Sequence, residues 1–176
     1  MTTSWEATDG EETDPPRRYV AYVLAVDRPG VLTSVTEVVS SRGVSIQSFE
    51  TGDARSGFAI LTLVFTTSGR RRKMIERILA RLATVAEVLL LPADDPRVLA
   101  AGVVHPSKGR TFRPPPDAVV TWSGDTASGQ PLLVEGQYLH VAALLEKAIE
   151  AGASRVSFTL LPPSRMAWPT TRNEHR

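Results

Sequence analysis

The residues with the most chemical promise are consecutive: Asp27-Arg28-Pro29-Gly30-Val31-Leu32. They stand where an apolar run gives way to helical spacing, so they form a strand-to-helix turn. The first turn of a helix presents backbone N–H groups without intrahelical acceptors, and such groups attract a carboxylate or a phosphate. Gly30 has no side chain to obstruct an incoming ligand. Asp27 can accept hydrogen bonds from an ammonium group. Donors and a carboxylate in one turn suit a zwitterion such as a free amino acid. A plainer role is also open, in which Asp27 caps the helix, Pro29 occupies its first turn and Gly30 only fits the bend.

Other groupings are weaker. Arg70-Arg71-Arg72-Lys73 opens a second helix, where cations oppose the helix dipole, so they are not there for helix stability. A solvated face and a site for an acidic partner or a phosphate both fit them. Lys108, Arg110 and Arg113 share a loop with Phe112, which reads either as ordinary surface or as a contact for a phosphorylated ligand. His105, His140 and His175 are scattered and lack the clustered carboxylates of a metal site. Glu135 and His140 lie five apart and could approach each other in space, with little to support them as a catalytic couple. No nucleophile elbow, metalloprotease helix, phosphate loop or dinucleotide fingerprint occurs. The absence of cysteine removes thiol nucleophiles, thiolate metal sites and disulfides. The residues therefore point to no catalytic set, no metal and no cofactor.

The elements that must position the turn come from a chain of 176 residues with a net charge of +1. Residues 1–16 carry five acids and no base, so a −5 tail is set against a +6 body. The tail, taken to residue 18, is polar apart from Trp5 and reads as disordered. It also offers an intramolecular screen for the basic run at 70–73. A +6 body is mild beside a nucleic-acid binder, so no nucleic-acid partner is expected. The longest apolar runs are far too short to span a bilayer, and the acidic start lacks a secretion signal. A cytoplasmic location with no membrane contact is expected.

Tyr19 to Val26 is a continuous apolar run with the content of a buried strand. Val31, Leu32, Val35, Val38 and Val39 recur at helical spacing and stop at Gly43. Val44 to Phe49 alternates as a half-exposed strand, and residues 53–57 form a turn. Phe58 to Phe65 is a second apolar strand. Ser68 can cap a helix whose stripe is Met74, Ile75, Ile78, Leu79 and Leu82, and Glu87 to Leu91 is a short strand before Pro92. The order β-α-β-β-α-β is that of a ferredoxin-like α+β unit over residues 19–93. Both long strands are apolar on both faces, so something must cover the sheet face away from the helices. Residues 94–163 read as a smaller α/β element of order β-β-β-α-β. Its strands are expected at 98–104, 118–122, 132–135 and 155–161, and its helical stripe at Leu139, Ala142, Leu145, Ala148 and Ile149. Residues 164–176 read as a frayed end.

The stretch DRPGVLTSVTEVVSSRGVSIQSF resembles the ACT domain, a small-molecule-sensing module. Asp27, Pro29, Gly30, Val31, Leu32, Gly43, Val44, Ser45 and Ile46 carry the likeness, within residues 19–92. Among ACT proteins the chain is most similar to the regulatory small subunit of acetolactate synthase. The resemblance implies a ligand site between two ACT domains. Asp27, Pro29, Gly30, Val31 and Leu32 would come from one domain, and Ser45, Ile46 and Gln47 from its neighbour. Asp27 and Ser45 stand where the small subunit typically has asparagine, which argues against valine itself as ligand. Residues 98–163 show no sequence match to that protein's second domain.

These expectations describe a non-catalytic regulatory protein. It would dimerise with itself, bind an amino acid or similar small molecule at the dimer interface and control a partner enzyme allosterically. Two alternatives share the same residues: a small enzyme or accessory protein of a biosynthetic pathway using a pocket in residues 94–163, and an assembly module with no ligand.

Overall fold

Strand β1 (Arg17–Val26) is the spine of the first sheet, and its buried, β-branched and aromatic side chains suit a strand covered on both faces. The computed structural model describes residues 14–52, 54, 56–164 and 166. After β1 come α1 (Val31–Ser40), β2 (Ile46–Thr51), β3 (Phe58–Thr67), α2 (Gly69–Leu79) and β4 (Val85–Pro92). The strands lie antiparallel in the order β2-β3-β1-β4. This is the expected ferredoxin-like arrangement.

Strand alternation divides β1 between two cores. Tyr19, Ala21, Val23 and Ala25 face α1 and α2, packing with Val35, Val39, Ile75 and Leu79. Ser68 caps α2 as expected, its hydroxyl accepting the Arg71 N–H at 3.4 Å. Leu32 and Met74 fall outside the buried stripes they were assigned to, and both are exposed. A helix lying on a sheet buries a narrow band, here Val31, Val35 and Val39 in α1 and Ile75 and Leu79 in α2.

The second sheet contains β5 (Leu99–His105), β6 (Thr121–Ser123), β7 (Leu132–Gln137) and β8 (Arg155–Leu161), in the order β6-β7-β5-β8. Helix α3 (Tyr138–Glu150) connects β7 to β8, and a 3-10 turn (Thr126–Ser128) follows β6. The strand expected over 118–122 is reduced to Thr121–Ser123, because the Ala118 N–H closes a turn on the Pro115 carbonyl at 3.0 Å. The α3 stripe is rotated from expectation. Tyr138, Val141, Leu144, Leu145 and Ala148 are buried, while Leu139 and Ile149 are exposed. Gly102 sets this rotation: a Cβ there would stand 3.2 Å from Leu145 and 3.3 Å from Val141, so α3 seats these two side chains over a strand position with no side chain.

The face of the first sheet away from α1 and α2 is covered, as the sequence requires, and the cover is the rest of the chain. Val20, Tyr22, Leu24, Ile60, Val64, Leu89 and Leu91 share one core with residues of the second sheet and α3, among them Ala100, Val134, Val141, Leu145 and Leu160. Glu50 of β2 ties the two sheets together. Its Oε2 accepts the Thr159 hydroxyl at 2.7 Å and the Leu160 N–H at 3.2 Å.

β1 begins at Arg17, before the expected end of the tail at residue 18. Asp14 Oδ2 accepts the Arg70 N–H at 2.7 Å, so this tail acid lies at the start of α2. Residues 1–13, Asp53, Arg55, Arg165 and residues 167–176, with Trp5, Trp168 and His175, lie outside the described residues. Met166 is buried in the shared core, so the segment expected to fray from 164 is packed at that residue. No helix among the described residues is long and apolar enough to cross a membrane.

Candidate functional site

The loop between β1 and α1 is pinned by its backbone. The Val26 N–H donates to the Thr84 carbonyl at 2.8 Å, and the Asp27 N–H donates to the Gly57 carbonyl at 2.8 Å. The second bond extends the strand direction one residue past β1, so Asp27 belongs to the sheet's end rather than to the helix. Gly30 is the N-cap of α1, with φ at 86°, a left-handed conformation that glycine adopts without steric cost. The expected capping role of Asp27 is therefore not realised. It stands three residues ahead of the N-cap, and no side chain caps α1. Among the described residues the N–H groups of Leu32 and Thr33 meet no acceptor. The helix start is left open, with Gly30 exposed beside it.

Beside this loop lies a cavity of about 270 Å³. Asp27, Arg28, Val31 and Leu32 line it from the loop, Thr51, Gly52 and Ala54 from the β2–β3 turn, and Ala25, Ala59 and Leu61 from the sheet. Its volume suits a small molecule rather than a large cofactor. An acidic residue, a basic residue and an apolar wall line it together. Arg28 and the β2–β3 turn were not foreseen as lining. Arg28 is inside the motif and was legible, whereas the turn arrives only because Thr51 pairs with Leu61 across the sheet. Pro29 and Gly30 shape the loop without lining the cavity.

Ser45, Ile46 and Gln47 are elsewhere. Ile46 pairs with Phe65, which pairs with Tyr19, whereas the loop follows Val26, which pairs with Phe58. Seven residues at about 3.3 Å each separate the two rows, roughly 23 Å. One chain does not bring the two groups together. Ser45 and Gln47 are exposed at edge strand β2, and the Thr66 hydroxyl donates to Gln47 Oε1 at 3.4 Å.

The other sequence groupings resolve in different ways. In the basic run, Arg72 is committed inside the chain: it pairs with Glu76 at 2.8 Å and lies over the Tyr19 ring. Arg70, Arg71 and Lys73 stay exposed. Backbone hydrogen bonds from Arg70 and Gly69 hold the Asp14 carboxyl below the usual carboxylate range. The basic loop is split, with Arg110 against Gly152 past the end of α3 and Arg113 over the Trp122 ring. Glu135 and His140 do not pair: Glu135 alternates with Val134, which is buried toward α3, so its side chain leaves on the opposite face. No group of three His, Asp or Glu among the described residues is placed to hold a metal. The Tyr22 hydroxyl is buried without a hydrogen-bond partner, and burial followed by the nearby Glu50 charge pushes its pKa up.

The family model of the ACT domain matches residues 19–87. Residues 19–87 have the ACT-domain fold. Among solved structures, the small subunit of acetolactate synthase from Thermotoga maritima is similar over 82% of this chain and 95% of its own, with 15% identity and a TM-score of 0.59. That coverage exceeds the ACT domain's share, so the likeness of fold reaches the second sheet, where the sequence alone showed no match. The regulatory subunit of aspartate kinase from Thermus thermophilus is similar over 77% of this chain and 93% of its own, at 13% identity and a TM-score of 0.43. The ACT domain of a GTP pyrophosphokinase from Chlorobium tepidum aligns over 44% of this chain and all of its own, at 18% identity and a TM-score of 0.39. No curated protein matches the chain. ACT folds of this kind are typical of regulatory subunits that bind small molecules and modulate enzymes.

Proposed function

We propose that this protein is a non-catalytic regulatory subunit. It binds a free amino acid or a similar zwitterion at the β1–α1 loop of its ACT domain and controls a partner enzyme in the cytoplasm. The observation that carries the reading is the uncapped start of α1 beside a cavity that holds both Asp27 and Arg28. The free N–H groups and Arg28 would receive the ligand carboxylate. Asp27 would receive the ammonium, and Val31 and Leu32 would meet the side chain. Asp27 is pinned at the strand end, away from the helix start, which separates the two charges of a zwitterion instead of opposing its carboxylate.

The site is completed by a second chain. Ser45, Ile46 and Gln47 are about 23 Å from their own loop, and they lie on an edge strand that a partner copy can approach. A homodimer that sets β2 of one protomer beside the loop of the other would close two equivalent sites. The apolar sheet face is already buried within the chain, so the dimer would use the β2 edge. A ligand bound across that edge favours one dimer arrangement over another, which is the requirement for control of a partner. The likeness to an acetolactate synthase small subunit makes a synthase of that kind the partner to test first.

Thermal unfolding against each of the twenty amino acids tests the reading. One amino acid should raise the midpoint by several degrees in the native protein and not in Gly30→Asp, with a dimer in sizing experiments. No shift with any of them would overturn amino-acid sensing, and turnover of a substrate by the isolated protein would overturn the regulatory assignment.

A further inference from the structure

Another cavity lies far from the ACT loop in sequence, within the second sheet's connections. Its volume is about 440 Å³, and Phe112, Arg113, Trp122, Asp125 and Thr126 line it. That volume is in the usual range for small-molecule sites, about 300–1,000 Å³.

The walls are held by specific bonds. The buried Thr126 hydroxyl donates to the Phe112 carbonyl at 2.6 Å and accepts the Phe112 N–H at 2.8 Å, which locks the 112 loop onto the 3-10 turn. Asp125 Oδ1 accepts the Ala127 N–H at 3.0 Å, so that carboxylate is fixed at the head of the same turn. Gly124, with φ at 101°, passes so close to the Pro131 carbonyl that a Cβ would collide with it. Arg113 lies 5.7 Å over the centre of the Trp122 ring, which places a cation at the cavity wall without an ion pair. Among the described residues no carboxylate pairs with Arg113, and Asp125 and Arg113 do not pair with each other. The cavity thus presents one cation stacked on an aromatic ring, one hydrogen-bonded carboxylate and two aromatic rings.

We infer that this cavity is a second ligand site and that it takes a zwitterionic amino acid with a flat aromatic side chain. The ligand carboxylate meets Arg113, the ammonium meets Asp125, and the ring packs on Trp122 and Phe112. The charge balance selects this class, because a doubly charged phosphate would face one cation and one carboxylate together. The site shares no residue with the ACT loop, so it stands or falls separately.

Calorimetric titration of the full chain with phenylalanine, tyrosine and tryptophan tests it, with valine and adenosine monophosphate as comparators. At least one aromatic amino acid should give saturating heat that persists in Gly30→Asp. Arg113→Gln and Trp122→Leu, both at exposed positions, should each weaken it roughly ten-fold, the worth of one charge-assisted hydrogen bond or stacking contact. No saturating heat with any of the three, binding undiminished in both variants, or loss in Gly30→Asp alone would overturn the inference. Tighter binding of adenosine monophosphate would overturn the ligand class.

Discussion

Replacing Leu160 by alanine probes the union of the two sheets. Leu160 sits on β8, is 3% exposed and belongs to the core shared with Val20, Tyr22 and Leu24 of the ACT sheet. Truncating a buried leucine costs about 2–5 kcal/mol, depending on how far the cavity collapses. The Leu160 backbone is held by Glu50, which limits collapse and favours the middle of that range, about 3 kcal/mol. For a chain of this size each kcal/mol lowers the melting point by about 2–4 °C, so a fall of roughly 6–12 °C is expected. The informative measurement is where the loss appears. Seven apolar side chains of the ACT sheet depend on the shared core. At about 1.5 kcal/mol or more each, uncovering them costs on the order of 10 kcal/mol, comparable to a whole domain's stability. The ACT domain therefore cannot stay folded when the second sheet opens, and unfolding should be a single transition. Hydrogen exchange followed by mass spectrometry separates the alternatives. In Leu160→Ala, peptides from β1 and from β5 should lose protection by the same free energy. If β5 exchanged faster while β1 kept its native protection, or if the melt split into two steps, the single-core reasoning would be refuted.

Tyr22→Phe removes a buried hydroxyl that has no partner, so urea unfolding should show equal or higher stability, by up to about 1 kcal/mol, where most buried tyrosine changes destabilise. Gly124→Ala should destabilise by more than about 3 kcal/mol, because the new methyl meets a backbone carbonyl at a left-handed φ, whereas Gly129→Ala, with open space around it, should cost far less. The Asp14 carboxyl should titrate by NMR below its ordinary value of 3.8. Its bond to the start of α2 is stronger in the ionised form, so the added anchorage is present above that value and is lost as the pH falls through the lower folded pKa. Asp14→Asn should remove that low-pH step without changing stability much at neutral pH, and an unchanged acid titration would count against the contact.

Much of the architecture was legible because strands and helices bury side chains at different periods. Val20 to Leu24 and Ile60 to Val64 are apolar on both faces, which announced a cover over the ACT sheet before any partner was visible. Ser68 and Gly43 marked helix limits by local chemistry alone. The α3 stripe was misplaced because Leu139 and Leu145 look equivalent along the chain. The missing side chain of Gly102, which seats Leu145 and Val141, lies on another strand, so helix rotation was not a local property.

The site divides in the same way. The Asp27 to Leu32 loop could be found from residue types, since a strand-to-helix turn with glycine leaves helix N–H groups open wherever it occurs. Whether Asp27 would cap the helix depended on its backbone bond to Gly57, contributed by the β2–β3 hairpin. The lining of the cavity by Thr51, Gly52 and Ala54 and the distance of Ser45 to Gln47 from their own loop follow from sheet register, which long-range pairing sets. The second cavity shows the limit most clearly. Phe112 and Arg113 stood out only as part of a basic loop, Trp122 and Asp125 not at all, and the four line one charged and aromatic pocket where the Thr126 hydroxyl closes one loop onto another. Local spacing decides strands, helices and turns, and non-local hydrogen bonds and packing decide which of their side chains meet.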